Sequence, residues 1–232
     1  MPFYFYFIIF MLGASVASFL NVVAYSLPIN ANWITRRSAC PHCNTNLHAL
    51  QLIPILSYVF QKGRCHSCHT LISPSYPLIE ISGGILFIIA LKLQHDFSLL
   101  QLIHTWIFFS LLITITLTDL YYGLIPNKIL IAFGLFLMLF NPNLISAMFG
   151  FLVLFISACI GKWLFKKASL GGGDIKLYFV IGLAIPLNTL LLSIVISSVL
   201  ALLYLLLIAQ NKRQALPFAP FITLGVIITM MI

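Results

Sequence analysis

Residues 97–118, FSLLQLIHTWIFFSLLITITLT, form an apolar segment without a charged side chain, and Asp119 follows it directly. A segment of this length predicts a membrane-spanning helix, since about 20 apolar residues are needed to cross the hydrocarbon core. The whole chain has the same character, because 62% of its 232 residues are hydrophobic and only 7% are charged. This composition excludes a soluble domain and predicts an all-α polytopic membrane protein.

The apolar segments are separated by polar residues or by Pro and Asn, which punctuate helices. There are eight of them, over residues 3–25, 78–94, 97–118, 124–140, 144–165, 175–187, 189–209 and 215–232. We expect about eight transmembrane helices. Because the sixth segment is short, seven spans with a re-entrant segment are an alternative, and the boundary between the sixth and seventh helices stays open. The pattern divides the chain into a first transmembrane helix over 1–27, a cysteine-rich loop domain over 28–77 and a membrane-embedded core over 78–232.

The basic residues indicate the orientation of the chain. The formal net charge is +8, and nearly all Lys and Arg residues fall near the junctions 26–77, 119–123, 166–174 and 210–214. These residues are Arg36, Arg37, Lys62, Arg64, Lys128, Lys162, Lys166, Lys167, Lys176, Lys212 and Arg213. Lys92 and Asp96 fall on the other side. The positive-inside rule therefore predicts cytoplasmic junctions and both termini outside, and the charge does not indicate nucleic-acid binding.

Asp119 and Asp174 are two of only four acidic residues, and each lies at the end of an apolar segment, where a charge is costly unless it has a use. The segments 124–140 and 144–165 between them return the chain to the side that it left. We therefore expect both carboxylates at the cytoplasmic ends of their helices, where they can meet. Two facing carboxylates cannot both ionise cheaply, so one keeps its proton, as in the aspartic proteases.

Three glycines, Gly171-Gly172-Gly173, directly precede Asp174. Their backbone carries no side chains, so Gly171 and Gly173 are candidate site residues where another segment or a substrate approaches closely. The alternative interpretation is structural. In that case Asp174 is the N-cap of a helix that begins at Ile175.

Two further polar residues lie near inner helix ends. Asn21 in the first segment is either a helix-to-helix hydrogen-bond anchor or a residue that faces substrate. Glu80 begins the second segment. It is either a first-turn residue favoured by the helix dipole or part of a polar site at the inner face.

The loop over 28–77 contains two C-x2-C motifs, Cys40-Pro41-His42-Cys43 and Cys65-His66-Ser67-Cys68, with 21 residues between them. Four thiolates at this spacing predict one tetrahedral Zn²⁺, which a small loop with few apolar residues needs in order to fold. Redox or disulfide chemistry is the alternative, but the cytoplasm is reducing. One histidine could replace a ligand, although an all-cysteine site is simpler. The candidate histidines are His42, His66 and His69.

Residues 54–63, between the two motifs, are unusually apolar for a soluble loop. We expect them to lie on the membrane surface or against the helices. The fifth cysteine, Cys159, lies alone in an apolar segment and is interpreted as a packing residue.

Together these motifs resemble the type IV prepilin peptidases over nearly the whole chain. The shared features are Ser18-Phe19-Leu20-Asn21, the paired C-x2-C loop, Tyr76-Pro77-Leu78-Ile79-Glu80, Asp119 with Ile125-Pro126-Asn127, Gly171-Gly172-Gly173-Asp174, and Leu216-Pro217-Phe218-Ala219-Pro220. The resemblance implies an intramembrane aspartyl protease of the GxGD type with Asp119 and Asp174 as its catalytic pair. Such a protease removes the short basic leader of prepilins and pseudopilins at the cytoplasmic face of the bacterial inner membrane, before their hydrophobic N-terminal helix.

The same resemblance implies a second activity. Family members with the cysteine loop usually N-methylate the new N-terminus with S-adenosylmethionine, and Gly84 occupies the position associated with methyl transfer. Glu80, Asn21, Gly171 and Gly173 are further candidates for the substrate or methyl-transfer site. The residues themselves show no dinucleotide-type fold, so methylation rests on the resemblance alone.

Some features depart from the family, and other functions stay open. Ala17, Ser26 and Ala219 stand where the family usually has Gly, Arg and Gly, and the methyl group of Ala219 could tighten a backbone contact. A peptidase without methyl transfer is one alternative. A transporter would also hold acids in the membrane, but no internal repeat relates the two halves of the chain. An assembly scaffold with a zinc loop would not need both acids.

Overall fold

The computed structural model describes residues 3–31, 37–94, 98–140, 142–166, 171–207 and 216–232. Within these ranges the protein is helical, with two isolated β-bridges, so the all-α prediction is confirmed. The helices are α1 Phe3–Ser26, α2 Leu56–Phe60, α3 Ser75–Lys92, α4 Leu99–Tyr122, α5 Asn127–Met138, α6 Leu144–Phe165, α7 Gly172–Ala184, α8 Leu187–Leu207 and α9 Ala219–Met231, with a 3₁₀ helix at Ala49–Leu52. The predicted charges at Arg36, Asp96, Lys167, Lys212 and Arg213 lie outside the described residues.

Each of the eight apolar segments forms a helix. Five helices in the described ranges, α1, α3, α4, α6 and α8, are long and apolar enough to cross a membrane. The helices α5, α7 and α9 have 12, 13 and 13 residues, and at about 1.5 Å per residue they are shorter than the roughly 30 Å hydrocarbon core. The open boundary between the sixth and seventh segments lies at Ile185 and Pro186, which separate α7 from α8.

Several helix ends differ from the apolar pattern. The helix α4 continues through Asp119 to Tyr122, past the end of the apolar segment at residue 118. Polar side chains do not end a helix, whereas Gly123 at φ 63° provides a left-handed C-cap, and its N–H donates to the carbonyl of Asp119 at 2.8 Å. Similarly, α3 begins at Ser75. Glu80 is therefore its sixth residue, and the first-turn interpretation of Glu80 is wrong.

The described chain forms two compact units, Met1–Lys92 and Leu93–Ile232. In the first unit α1 packs along α3, and the cysteine-rich loop connects them. In the second unit α6 packs on α7, and α8 packs on α9. The division of the chain at residues 27 and 77 stays a prediction.

The helix α4 contributes more buried residues to the second unit than any other helix. Thirteen of its residues are buried, including a run from Phe108 to Ile115. A hydrogen bond of 2.7 Å joins the hydroxyl groups of Thr116 on α4 and Thr223 on α9. This polar contact between apolar helices fixes their register, which positions the start of α9 beside the end of α4.

Candidate active site and metal centre

Asp119 lies in the last turn of α4, and only 8% of it is exposed. Its Oδ2 atom accepts a hydrogen bond of 2.9 Å from the backbone N–H of Ala219, the first residue of α9. The first N–H groups of a helix have no partner within the helix, and the helix dipole favours negative charge there. The start of α9 therefore holds and stabilises one oxygen of the Asp119 carboxylate.

Asp174 lies in the first turn of α7 as the third helical residue. The N-cap position is occupied by Gly171, whose carbonyl accepts the N–H of Asp174 at 3.1 Å. The interpretation of Asp174 as an N-cap is therefore wrong. A Cβ atom on Gly171 would lie 2.9 Å from Oδ2 of Asp174, so the carboxylate folds back over a position that only glycine leaves open.

The structure brings the two carboxylates together in the second unit. The charge of Asp119 acts on the carboxyl group of Asp174, so the two groups lie within electrostatic range. The start of α7 also contacts the segment that follows Asp119. A Cβ atom on Gly173 would lie 3.0 Å from Cβ of Ile125, and Nζ of Lys176 donates to Oδ1 of Asn127 at 3.1 Å.

The contacts of Ala219 and Lys176 at this site were not predicted from the sequence. In the sequence, Ala219 stands out only as a departure from a motif and Lys176 only as a basic residue that indicates topology. In the structure, the N–H of Ala219 donates to Asp119, and Lys176 connects α7 to Asn127. A signal for the first was available. Pro217 and Pro220 have no N–H, so the start of a helix between them exposes its free N–H groups at Phe218 and Ala219.

Glu80 joins three segments within the first unit. Its Oε1 accepts the hydroxyl of Ser18 on α1 at 2.8 Å, and its Oε2 accepts the backbone N–H of Ile55 at 2.7 Å. Of the two interpretations, the one that places Glu80 in a polar site fits these contacts. Ile55 adopts φ 63°, an unusual conformation for a β-branched residue, which surrounding contacts must hold in place.

Gly84 and Asn21 lie where α1 and α3 are buried. A Cβ atom on Gly84 would lie 2.5 Å from the ring of Phe10, so Gly84 permits close packing of the two helices. Asn21 is 7% exposed. The contact with Phe10 gives Gly84 a packing role between the two helices.

The cysteine loop folds as two knuckles of the same design. In the first, the N–H of Asn44 donates to the carbonyl of Cys40 at 2.9 Å, and in the second, that of His69 donates to Cys65 at 2.9 Å. Asn44 and His69 have φ values of 54° and 55°. The repeated turn directs both thiols of each motif to the same side.

The four sulfur atoms fit a metal ion. All lie within 4.8 Å of one another, with 3.8 Å between Cys40 and Cys68 and 3.9 Å between Cys43 and Cys65. In a tetrahedron with Zn–S bonds of about 2.3 Å the sulfur atoms are about 3.8 Å apart. Backbone hydrogen bonds from Cys43 and His42 lower the pKa of the Cys40 thiol, which favours the thiolate that a metal requires.

The fold and the two sites define a class, namely a polytopic helical membrane protein with a pair of carboxylates at helix ends and a four-cysteine metal-binding loop. Residues 11–93 match the family described as Bacterial Peptidase A24 N-terminal domain, and residues 106–206 match the one described as Type IV leader peptidase family. To within one residue, the two matched ranges fall in the first and second compact units, respectively.

Curated relatives match along the full length. The chain is 38% identical over 234 residues to the prepilin leader peptidase/N-methyltransferase of Bacillus subtilis (strain 168). That alignment covers 95% of this chain and 92% of the relative. It is 29% identical over 265 residues to that of Aeromonas hydrophila, covering 97% and 90% of the two chains. For Neisseria gonorrhoeae the identity is 28% over 248 residues, covering 93% and 86%. No solved structure matches the chain. The chain belongs to the type IV leader peptidase family.

Proposed function

We propose that the protein is a prepilin leader peptidase that also N-methylates the mature N-terminus. The family and its relatives support both activities, since the relatives bear the name prepilin leader peptidase/N-methyltransferase. The observation that carries the peptidase proposal is that Asp119 at the end of α4 and Asp174 at the start of α7 lie within electrostatic range of each other. Neither a transporter nor a scaffold is favoured by these relatives.

Asp119 acts as the ionised member of the pair. The N–H of Ala219 and the start of α9 stabilise its negative charge, while Asp174 carries the shared proton. Asp119 takes a proton from water as the water oxygen adds to the scissile carbonyl carbon, and Asp174 donates its proton to the carbonyl oxygen. When the tetrahedral intermediate collapses, the proton on Asp119 passes to the leaving amine, and a hydroxyl of the intermediate returns a proton to Asp174.

The cysteine loop holds a structural Zn²⁺ through Cys40, Cys43, Cys65 and Cys68. The sulfur distances support this choice of metal, and the metal ties together the two knuckles of a loop that is otherwise poor in core residues. For methylation, S-adenosylmethionine supplies the methyl group when bound. The assignment of Gly84, Glu80 and Asn21 to that step rests on the family alone.

The substrates are prepilins and pseudopilins, whose apolar N-terminal helix lies in the bilayer. We place the protein in the bacterial inner membrane with its termini in the periplasm and with the loop and the acid pair at the cytoplasmic face. The basic residues support this orientation, because Arg64, Lys128 and Lys176 all lie on the side that carries the cysteine loop and the two acids in the sequence-based topology.

The test is a cleavage assay in liposomes with a prepilin substrate, followed by mass spectrometry of the product. The wild-type protein should release the leader, and Asp119→Asn and Asp174→Asn should each lose essentially all turnover, because either change removes half of one proton-sharing unit. Addition of S-adenosylmethionine should add one CH₂ to the mature N-terminus. Retained cleavage by both variants, at unchanged thermal stability, would contradict the proposal.

A further inference from the structure

The cysteine loop carries an exposed apolar surface beside its metal centre. It consists of the side chains on the 3₁₀ helix and on one face of α2, and we refer to it as the loop ridge. Its most exposed members are Phe60 at 81%, Leu50 at 78% and Val59 at 63%, and it also includes Leu52 and Leu56. Leu50, Leu56 and Phe60 line one common surface depression, and exposed apolar side chains grouped in this way indicate an interaction surface.

The opposite face of α2 is fixed to the loop. The hydroxyl of Tyr58 donates to the carbonyl of Ile72 at 3.4 Å, and Gly63 packs against the ring of Tyr58. The short helix therefore has an inner face that contacts the second knuckle and an outer face that carries the loop ridge. The orientation of the ridge is a property of the folded loop.

Glu80 sets the depth of α2 relative to the membrane helices. It is the sixth residue of α3, about 8 Å along the helix, and its carboxylate accepts the N–H of Ile55 directly before α2. The 18 residues of α3 extend about 27 Å, slightly less than a hydrocarbon core of about 30 Å, so its second turn lies at or inside the boundary of that core. The same carboxylate contacts Ser18, which lies about 12 Å from the end of α1 at Ser26.

The charges of the loop complement anionic lipid. The segment 28–79 contains no acidic residue, whereas Lys62 and Arg64 directly follow α2 and are exposed. Basic residues at a membrane surface are attracted to anionic headgroups. The positive charges of Lys62 and Arg64 repel a basic leader peptide, so this surface fits the bilayer better than it fits the substrate.

We propose that the loop ridge inserts into the headgroup region of the bilayer and that Lys62 and Arg64 contact the phosphates of anionic lipids beside it. Glu80 holds α2 at this depth through the strained Ile55. The cysteine loop is then anchored to the membrane surface at α2, in addition to its covalent connections to α1 and α3.

The test measures the depth of residue 60 in the full-length zinc-bound protein, reconstituted in nanodiscs with phosphatidylglycerol. A nitroxide is attached to a keto amino acid that replaces Phe60, which leaves the native cysteines untouched. Collision with oxygen, which concentrates in lipid, is compared with collision with a water-soluble nickel chelate. The matched control is the same label at Asn46, an exposed residue of the first knuckle.

We expect the label at residue 60 to collide with oxygen and to be shielded from nickel, and the label at residue 46 to show the reverse. A second label at Val59 should agree with the one at residue 60. Exposure of both α2 labels to nickel would overturn the proposal in favour of a solvated loop. Shielding of both labels from oxygen and from the nickel chelate would overturn the proposal in favour of contact with protein, either the remainder of this chain or a partner.

Two variants test the proposed contacts with the same readout. The change Glu80→Ala removes the acceptor for Ile55 and should raise the nickel accessibility of residue 60 several-fold. The change Lys62→Gln with Arg64→Gln should raise it in phosphatidylglycerol and have little effect in phosphatidylcholine. Unchanged accessibility in the first variant would refute the role of Glu80, and an equal effect in both lipids would refute the contact with anionic headgroups.

Discussion

The contact between Gly173 and Ile125 gives the sharpest test of the candidate active site. A methyl group on Gly173 would lie 3.0 Å from Cβ of Ile125 and 3.4 Å from its Cγ1 and Cδ1 atoms. Carbon atoms pack best at about 3.5–4.0 Å, so Gly173→Ala must push the start of α7 or the Ile125 segment away by a few tenths of an ångström. Overpacking of this kind costs about 1–3 kcal/mol.

The displacement reaches the catalytic pair because Asp174 is the next residue. A misplacement of about 1 Å at a reacting group can lower a rate about 100-fold. The shift at Gly173 is a fraction of that distance, so we expect Gly173→Ala to lower kcat/KM for prepilin cleavage by about 3- to 10-fold. The assay is cleavage in liposomes under single-turnover conditions, where product release does not limit the rate.

The neighbouring glycine provides the matched control. A Cβ atom on Gly172 would meet nothing within 4 Å, so Gly172→Ala should keep cleavage within about 2-fold of the wild type, because substitutions away from such contacts are worth at most about 0.5 kcal/mol. The double variant Gly173→Ala with Ile125→Gly removes the atoms that the new methyl group meets, and it should lose less than the two single variants combined. Equal losses for Gly172→Ala and Gly173→Ala, or strict additivity in the double variant, would refute the reasoning.

Three further predictions concern the acid pair and the metal centre. Replacement of the backbone amide of Ala219 by an ester removes the N–H that donates to Asp119. Because a hydrogen bond to a charged group is worth about 1.5–3 kcal/mol, this change should lower kcat about 10- to 100-fold. The control variant Ala219→Gly keeps the N–H and should remain active. The single-turnover rate, measured as a function of pH, should show two apparent ionisations. Activity should be lost when both carboxyl groups are protonated and again when both are ionised. A rate that does not change with pH would count against the shared proton. Cys68→Ser should lower the zinc content measured by atomic absorption and increase proteolysis of the loop, because three sulfur ligands hold Zn²⁺ less tightly than four. An unaltered zinc content would exclude Cys68 as a ligand.

The prediction that the two acids meet depended on counting crossings. Two apolar segments lie between Asp119 and Asp174, and two crossings return the chain to one side of a membrane, whatever the packing. The helices α5 and α6 occupy those segments, and the two carboxylates are indeed within electrostatic range. The cluster of four cysteines was predictable for a similar reason, because the spacing of two C-x2-C turns determines where their sulfur atoms can reach.

Helix ends were less predictable, since an apolar pattern reports contact with lipid and not hydrogen bonding of the backbone. The helix α4 runs past its last apolar residue because Gly123 provides the cap, and α7 begins before Asp174 because Gly171 occupies the N-cap. The first-turn alternative for Glu80 failed for the same reason, because α3 begins at Ser75. Asp119, Asp174 and Glu80 were identified as candidate site residues, but the role of each depended on where its helix began or ended.

The sequence by itself therefore determined the membrane class, the eight helical segments, the four-cysteine cluster and the acid pair, since these follow from segment length, spacing and the number of crossings. Only the tertiary structure decided that the N–H of Ala219 holds Asp119, that Glu80 joins Ser18 to Ile55, and that Gly84 packs on Phe10. The physical reason is that these contacts join residues distant in the chain. Several use backbone N–H groups, which every residue other than proline has, so they leave no mark in the sequence.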